Sequence, residues 1–260
     1  MDETKQLVKT VVVDNNSSDQ SIEMINQEFK WVELISLNEN KGFSAGNNVA
    51  LKQVESEYVM LLNSDTEFTP QSNLDELLIF MDANPNIGIV SPKLVLANGN
   101  LDWASHRGEP TLWASLTYHL KLEKLFPNSR WFGQYHQKYL DLSHAHQVDA
   151  CSGAAMLLRT VNMKEVGFLD ERFFMYAEDL DWCKRFREHG FQVWYNPAIT
   201  IIHHKYKSGI KTQAPLTSHQ TKGHFYNTMM QYYDKHYKDK YPRFVRFLLR
   251  TFLFIKKGGM

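Results

Sequence analysis

Four short apolar runs, each ending abruptly in polar residues, constrain this chain more than any other feature. They cover residues 7–13, 31–37, 58–62 and 87–96. Runs of that length, rich in β-branched and aromatic side chains, suit buried strands better than helices. The stretches between them read as helices. Ser18 or Asp19 is placed to cap one that reaches Glu28, and Gly42 opens another. Leu74, Leu77, Leu78 and Met81 recur at helical spacing in a third. Strands alternating with helices imply an α/β domain with a mostly parallel sheet and right-handed crossovers.

In open α/β sheets, ligands bind beyond the carboxyl ends of the strands. The third run ends there in Asn63-Ser64-Asp65-Thr66. Two readings fit. Asp65 brings a carboxylate to a metal or phosphate, or Asn63 and Asp65 make a turn and cap the helix after Pro70. Gly42 and Gly46 also read two ways, as backbone that lets a ligand approach a helix N-terminus or as a tight turn. Further strands are expected at 87–96, broken by Pro92, at 191–195, ended by Pro197, and at 200–204.

Residues 103–147 differ in character. They are dense in aromatics and hold five histidines, His106, His119, His136, His144 and His146, without metal-type spacing. They read as an irregular insertion over one face of the sheet, its rings packing the loop or stacking on sugar or isoprenoid. Residues 1–210 form the α/β domain, and residues 211–260 a helical, basic-aromatic tail. Within the tail, residues 243–257 place Arg243, Arg246 and Arg250 on one stripe of an apolar helix. Such a helix lies on a membrane surface or docks on the domain.

Bulk properties exclude several classes. Lys plus Arg and Asp plus Glu both number 29, so the balance argues against a nucleic-acid partner. Cys151 and Cys183 are far apart, which suits a reducing compartment. The first residues lack a signal-peptide apolar core, and no run is long enough to span a membrane. A cytoplasmic chain, peripheral at most to the inner face of the plasma membrane, is expected.

Five side chains could carry chemistry: Asp65, Glu178, Asp179, Asp181 and His203. Glu178 and Asp179 stand where a helix begins, so capping competes with catalysis as their role. Asp181 precedes Arg185 by four positions, and an ion pair along the helix is its simplest role. Asp179 follows an aromatic loop that shields it from water, which suits a general base. His203 ends a strand, either as a structural residue or as a metal ligand beside Asp65.

In this order the motifs resemble the inverting glycosyltransferases of family 2, in their rhamnosyltransferase-like branch. The matching segments are Val12-Val13-Asp14-Asn15-Asn16-Ser17-Ser18-Asp19, the stretch 40–48 around Gly42 and Asn48, and Leu62-Asn63-Ser64-Asp65-Thr66. They continue with 148–155, with 167–183 around Glu178-Asp179 and with 203–208. The resemblance implies a GT-A fold, a nucleotide-sugar donor and Mg²⁺ or Mn²⁺. It implies a saccharide or lipid-linked saccharide acceptor. Asp179 corresponds to the base, and Glu178 and Trp182 to acceptor contacts. Asp14, Asn15, Lys41, Gly42, Asn47, Asn48, Asn63, Ser64 and Gly153 correspond to donor contacts, and Asp65 and His203 to metal or diphosphate contacts.

Two departures stand out. Asn63 occupies a position where many relatives carry aspartate, which removes one charge from the metal site. Only residues 1–7 precede Val8, where the resemblance begins and before which relatives carry a further strand and helix, so neighbouring strands are expected to show unpaired backbone. An inactive, truncated relative that only binds is therefore the competing expectation, and a membrane-surface module resting on the tail is another. A phosphatase using a strand-end aspartyl nucleophile is set aside, because the amide of Asn63 cannot form the phosphoenzyme.

Overall fold

The computed structural model describes residues 7–70, 72–205 and 215–257. Residues 1–6 before the first run, and residues 206–208 of the last matched motif, lie outside the described residues. The chain forms two compact units. The larger is built mainly from residues 53–168 and 182–204, and the smaller from 9–52, 169–181 and 205–260.

The smaller unit begins with β1 (Val11–Asp14), α1 (Ser21–Glu28), β2 (Glu33–Ser36) and α2 (Gly42–Leu51). β1 and β2 pair in parallel around the α1 crossover, as the alternation requires. Both strands are shorter than expected; Thr10 O still accepts from Glu33 N at 3.0 Å, but residues 7–10 are not strand and Leu7 is exposed.

The larger unit carries β3 (Tyr58–Leu62), β4 (Thr66–Phe68), α3 (Leu74–Asp82) and β5 (Ile87–Leu96). Its insertion holds a short 3-10 turn (Trp103–Ser105), α4 (Leu112–His119), α5 (Leu122–Leu125) and β6 (His146–Gln147). β7 (Ala155–Arg159), α6 (Thr160–Val166), α7 (Glu178–Glu188) and β8 (Gln192–His203) follow, the first turn of α7 belonging to the smaller unit. The chain ends in α8 (Pro215–His236) and α9 (Arg243–Lys257), which return to the smaller unit.

The α/β class is as expected, but the larger sheet is mixed and not mostly parallel. Its order is β3-β7-β5-β8-β4, with β6 also on β8. Only β5 and β8 run parallel; β7 enters between β3 and β5 antiparallel to both. Apolar runs reveal which residues are strands, whereas direction depends on partners distant in sequence. Among the described residues, β3 has β7 on one side only.

α3 packs Leu77 and Met81 against Val90 and Leu94 of β5, Leu157 of β7 and Ile199 and Ile201 of β8. Each such side chain contributes roughly 1.5–3 kcal/mol by leaving water. Neither proline ends a strand. Pro92 faces Asn196, and the register shifts just beyond that pair as β8 passes Pro197. The irregularity absorbs the residues that cannot donate to the ladder, and Asn196 Oδ1 accepts from Ala198 N at 2.9 Å to close it.

The insertion gathers histidines that look scattered in sequence. His106 is fully buried, with Nδ1 at 3.0 Å from His136 O and Nε2 at 2.6 Å from His146 Nε2. Burial, assisted by the neighbouring His146, pushes His106 down to about 4. The neutral ring is therefore the folded form. Its contribution is complete above the unfolded value of 6.5 and is lost as pH falls from there towards about 4. Urea midpoints measured across that window are expected to show a loss of about 3 kcal/mol assignable to His106. The His106→Gln chain is expected to have the flatter profile.

Candidate functional site

In the larger unit, the β3–β4 corner and the end of β8 build one polar group. β4 pairs with β8 so that Thr66 faces His203, and His204 N donates to Asp65 O at 2.8 Å. This antiparallel register brings Asp65 beside His203, with Oδ1 and Nε2 3.3 Å apart. His203 Nδ1 lies 2.8 Å from Asp102 Oδ2, just before the 3-10 turn. Asp102 Oδ1 accepts from Ala104 N at 3.1 Å, which fixes the carboxylate. His203 and Asp102 are both buried.

The electrostatics follow from this geometry. The hydrogen bond with His203 holds Asp65 below the usual carboxylate range, against the opposing effect of burial, with help from the Asn63 side chain. Burial alone lowers a histidine, but hydrogen bonds with Asp102 and Asp65 outweigh it and raise His203 to about 9. Asn63 also makes the turn, since its carbonyl accepts from Thr66 N and Thr66 Oγ1. The helix after Pro70 takes its cap from Asn73, not from this corner. Gly153 is buried just ahead of β7, where Asn63 N donates to Ala154 O, and Ser64 is exposed.

In the smaller unit, α2 holds the loop that leads to Asp179. Asn48 is buried and grips Leu169 at both its N–H and its carbonyl, at 3.1 and 2.8 Å. Ser44 Oγ donates to Phe173 O, and Phe43 N to Phe174 O, both at 2.7 Å. A Cβ on Gly42 would lie 2.4 Å from Phe174 O, and its φ is +81°. Gly42→Ala is accordingly expected to cost about 3 kcal/mol in chemical denaturation.

This loop ends in two consecutive left-handed residues, Tyr176 at φ 71° and Ala177 at φ 64°. Such backbone costs about 1–3 kcal/mol per residue and persists where its surroundings dictate it. Here the surroundings are α2 and α8. Lys235 pairs with Asp170 at 2.7 Å and with Asp181 at 2.5 Å, and His236 meets Asp181 at 2.7 Å. Tyr176 also stacks edge-on against Phe225. The strained pair leads directly into Glu178 and Asp179, and Asp179 Oδ1 accepts from Leu180 N at 2.7 Å.

Several sequence expectations are corrected. Asp181 is buried against α8, where Lys235 and His236 meet its carboxylate, while Arg185 donates to the carbonyls of Val166, Gly167 and Phe168 at the end of α6. Trp182 has no exposed surface and donates to Gly167 O at 2.8 Å, so it packs the core and offers an acceptor no ring face. Asn15 uses Oδ1 on Lys41 N and Nδ2 on Asn40 and Gly42 O, tying the β1 loop to the start of α2. Asn48 likewise spends its amide inside the fold. Asp14 is buried with Oδ2 on Ser17 N, Asn47 donates to Phe43 O, and Lys41 is exposed. Asp102, Tyr176 and Ala177 were missed; only the Asp-x-x-Ser spacing of 102–105 hinted at the first, as a turn cap.

The family model described as Glycosyl transferase family 2 matches residues 1–164. The chain belongs to that family. It is a rhamnosyltransferase-like glycosyltransferase. The N-acetylglucosaminyl-diphospho-decaprenol L-rhamnosyltransferase of Mycobacterium tuberculosis is 28% identical over 228 residues, covering 83% of this chain and 73% of that protein. The low-salt glycan biosynthesis hexosyltransferase Agl10 of Haloferax volcanii is 27% identical, over 75% of this chain and 58% of its own length. Among solved structures, the Pyrobaculum calidifontis mannosyltransferase in complex with GDP-Man and Mn²⁺ aligns with a TM-score of 0.55 at 15% identity, over 95% of this chain. GalNAc-T7 with UDP, GalNAc and Mn²⁺ aligns at 0.54 and 12% identity, over 75%. These likenesses show a GT-A-like fold. The chain spans 60% and 37% of the two solved chains.

The donor set in this glycosyltransferase suits a divalent cation that is completed by a ligand. Among the described residues, no group of three His, Cys, Asp or Glu side chains forms a metal cage. Asp65 and His203 supply one carboxylate and one imidazole. The Asp102 carboxylate fixes a proton on Nδ1, which leaves Nε2, on the Asp65 side, as the coordinating nitrogen once deprotonated. Mg²⁺ characteristically takes one or two protein carboxylates and completes its shell with phosphate oxygens and water.

Proposed function

We propose that this chain transfers a sugar from a nucleotide-sugar donor, dTDP-rhamnose or a UDP-sugar, to a saccharide or lipid-linked saccharide. The transfer inverts the anomeric centre and serves synthesis of a bacterial surface polysaccharide. The observation that carries this reading is the Asp65–His203–Asp102 relay after β3, with His203 and Asp102 buried, in a chain of family 2. The similarity to a lipid-diphosphate rhamnosyltransferase supports the choice of sugar and acceptor.

In this proposal Asp65 and His203 would hold Mg²⁺ or Mn²⁺, with Asp102 orienting His203, and a bound cation would supply positive charge for the departing diphosphate. Asp179 removes the proton from the acceptor hydroxyl, whose oxygen attacks the anomeric carbon from the face opposite the leaving group. Glu178 contributes to the acceptor side. Asp14, Lys41, Asn47, Asn63, Ser64 and Gly153 contact the donor, while Asn15, Gly42 and Asn48 act through the loop geometry they hold.

The test is a screen of dTDP-, UDP- and GDP-sugars against prenyl-diphosphate N-acetylglucosamine, with Mg²⁺, Mn²⁺ or chelator, read by mass spectrometry. Cation-dependent appearance of a glycosylated acceptor is expected, with dTDP-rhamnose the best donor. Donor binding by the folded chain without transfer to any acceptor would favour the binding-remnant reading instead.

A further inference from the structure

α9 has two apolar faces, and among the described residues one of them is packed on α8. At roughly 100° per residue, Val245, Leu249 and Leu253 fall on one side of the helix. That side docks on α8: Leu253 is buried, and the Arg246 guanidinium clamps Asp234 through two hydrogen bonds of 2.6 and 2.7 Å. The clamp sets the rotation of α9 about its own axis. Phe244, Phe247, Leu248, Phe254 and Ile255 consequently turn outward, 52–69% exposed. They form an apolar ridge along the helix, interrupted by Thr251, of the kind that marks an interaction surface.

One border of that ridge is basic. Arg243 and Arg250 flank it there, and α9 contains no acidic residue. We propose that the exposed face of α9 lies on an anionic phospholipid bilayer, with its phenylalanines among the acyl chains and Arg243 and Arg250 at the headgroups. Fifteen residues of helix extend about 22 Å, short of the roughly 30 Å hydrocarbon core, so the helix lies in the plane of the surface. Among the described residues no helix is long and apolar enough to cross a membrane. The basic border disfavours an antiparallel second copy of the chain, because that pairing would bring Arg243 and Arg250 of the two copies to the same side.

Flotation of the full chain with vesicles tests this without any measurement of sugar transfer. Binding is expected to phosphatidylcholine vesicles carrying about one-quarter phosphatidylglycerol, and to be weak on phosphatidylcholine alone and in high salt. Phe247→Glu with Phe254→Glu is expected to lower partitioning at least about tenfold, with helical content unchanged because both rings are exposed. Arg243→Glu with Arg250→Glu is expected to remove the preference for the anionic lipid. Failure of the unaltered chain to float with anionic vesicles overturns the proposal, as does undiminished flotation of the Phe247/Phe254 variant. A vesicle-free dimer that dissolves on Phe247→Glu also overturns it, since a second copy then covers the ridge. Transfer to a water-soluble acceptor is expected to survive the Phe247/Phe254 variant, so the outcome is separable from the transferase reading.

Discussion

Asp179→Asn is expected to reduce turnover by about a thousandfold while leaving donor affinity within about threefold of the unaltered chain. The argument is geometric. Asp179 stands on the first turn of α7 and accepts from Leu180 N, a bond that an asparagine oxygen can also accept. The substitution therefore removes the proposed base and keeps that hydrogen bond, and thermal melting is expected to be unchanged. The preceding Tyr176 and Ala177 are held left-handed by contacts on both flanks, Asn48 and Ser44 of α2 and the α8 cations on Asp170 and Asp181. That over-determination gives Asp179 a fixed aim, and positioning of this kind is what a general base needs. Turnover by product detection and donor affinity by calorimetry separate the two quantities. Near-normal turnover of Asp179→Asn would overturn the assignment. If the loss follows Glu178→Gln instead, the base is its neighbour.

Much of this was legible in the sequence. The helix start at Gly42 and the placement of Asp65 at a strand end follow from local patterning, which reports periodicity and turn chemistry directly. What patterning does not report is who pairs with whom. β7 joins β3 and β5 from across the insertion, and the three residues of β4 are too few to show alternation. Asp102 lies 101 residues from His203, so nothing in its spacing points to that partner. Trp182 and Asn48 were placed at the site by motif, yet tertiary packing turns both into the interior. A motif marks residues that the site requires; it does not distinguish those that touch a ligand from those that hold the loop.

That distinction is sharpest at the relay of Asp65, His203 and Asp102. Asp65→Asn is expected to reduce cation-dependent turnover by about a hundredfold or more, because it removes the carboxylate charge that the chain offers the cation. Asp102→Asn acts one step removed. Asp102 is buried; it holds the Nδ1 side of His203 and with it the ring's orientation. Its loss is expected to weaken cation affinity by roughly tenfold to a hundredfold, with turnover recovering as Mn²⁺ is raised, a recovery not expected for Asp65→Asn. The His203 titration in the cation-free chain provides an independent reading. With Asp102 neutralised, it is expected to fall from about 9 towards 6.5. The sign for stability is fixed by the same values. The imidazolium bridge contributes fully below 6.5 and is lost as pH rises through about 9, so Asp102→Asn destabilises the cation-free chain most at neutral and lower pH. A purely structural aspartate would lower stability without moving the Mn²⁺ dependence of turnover, and that result would remove Asp102 from the site.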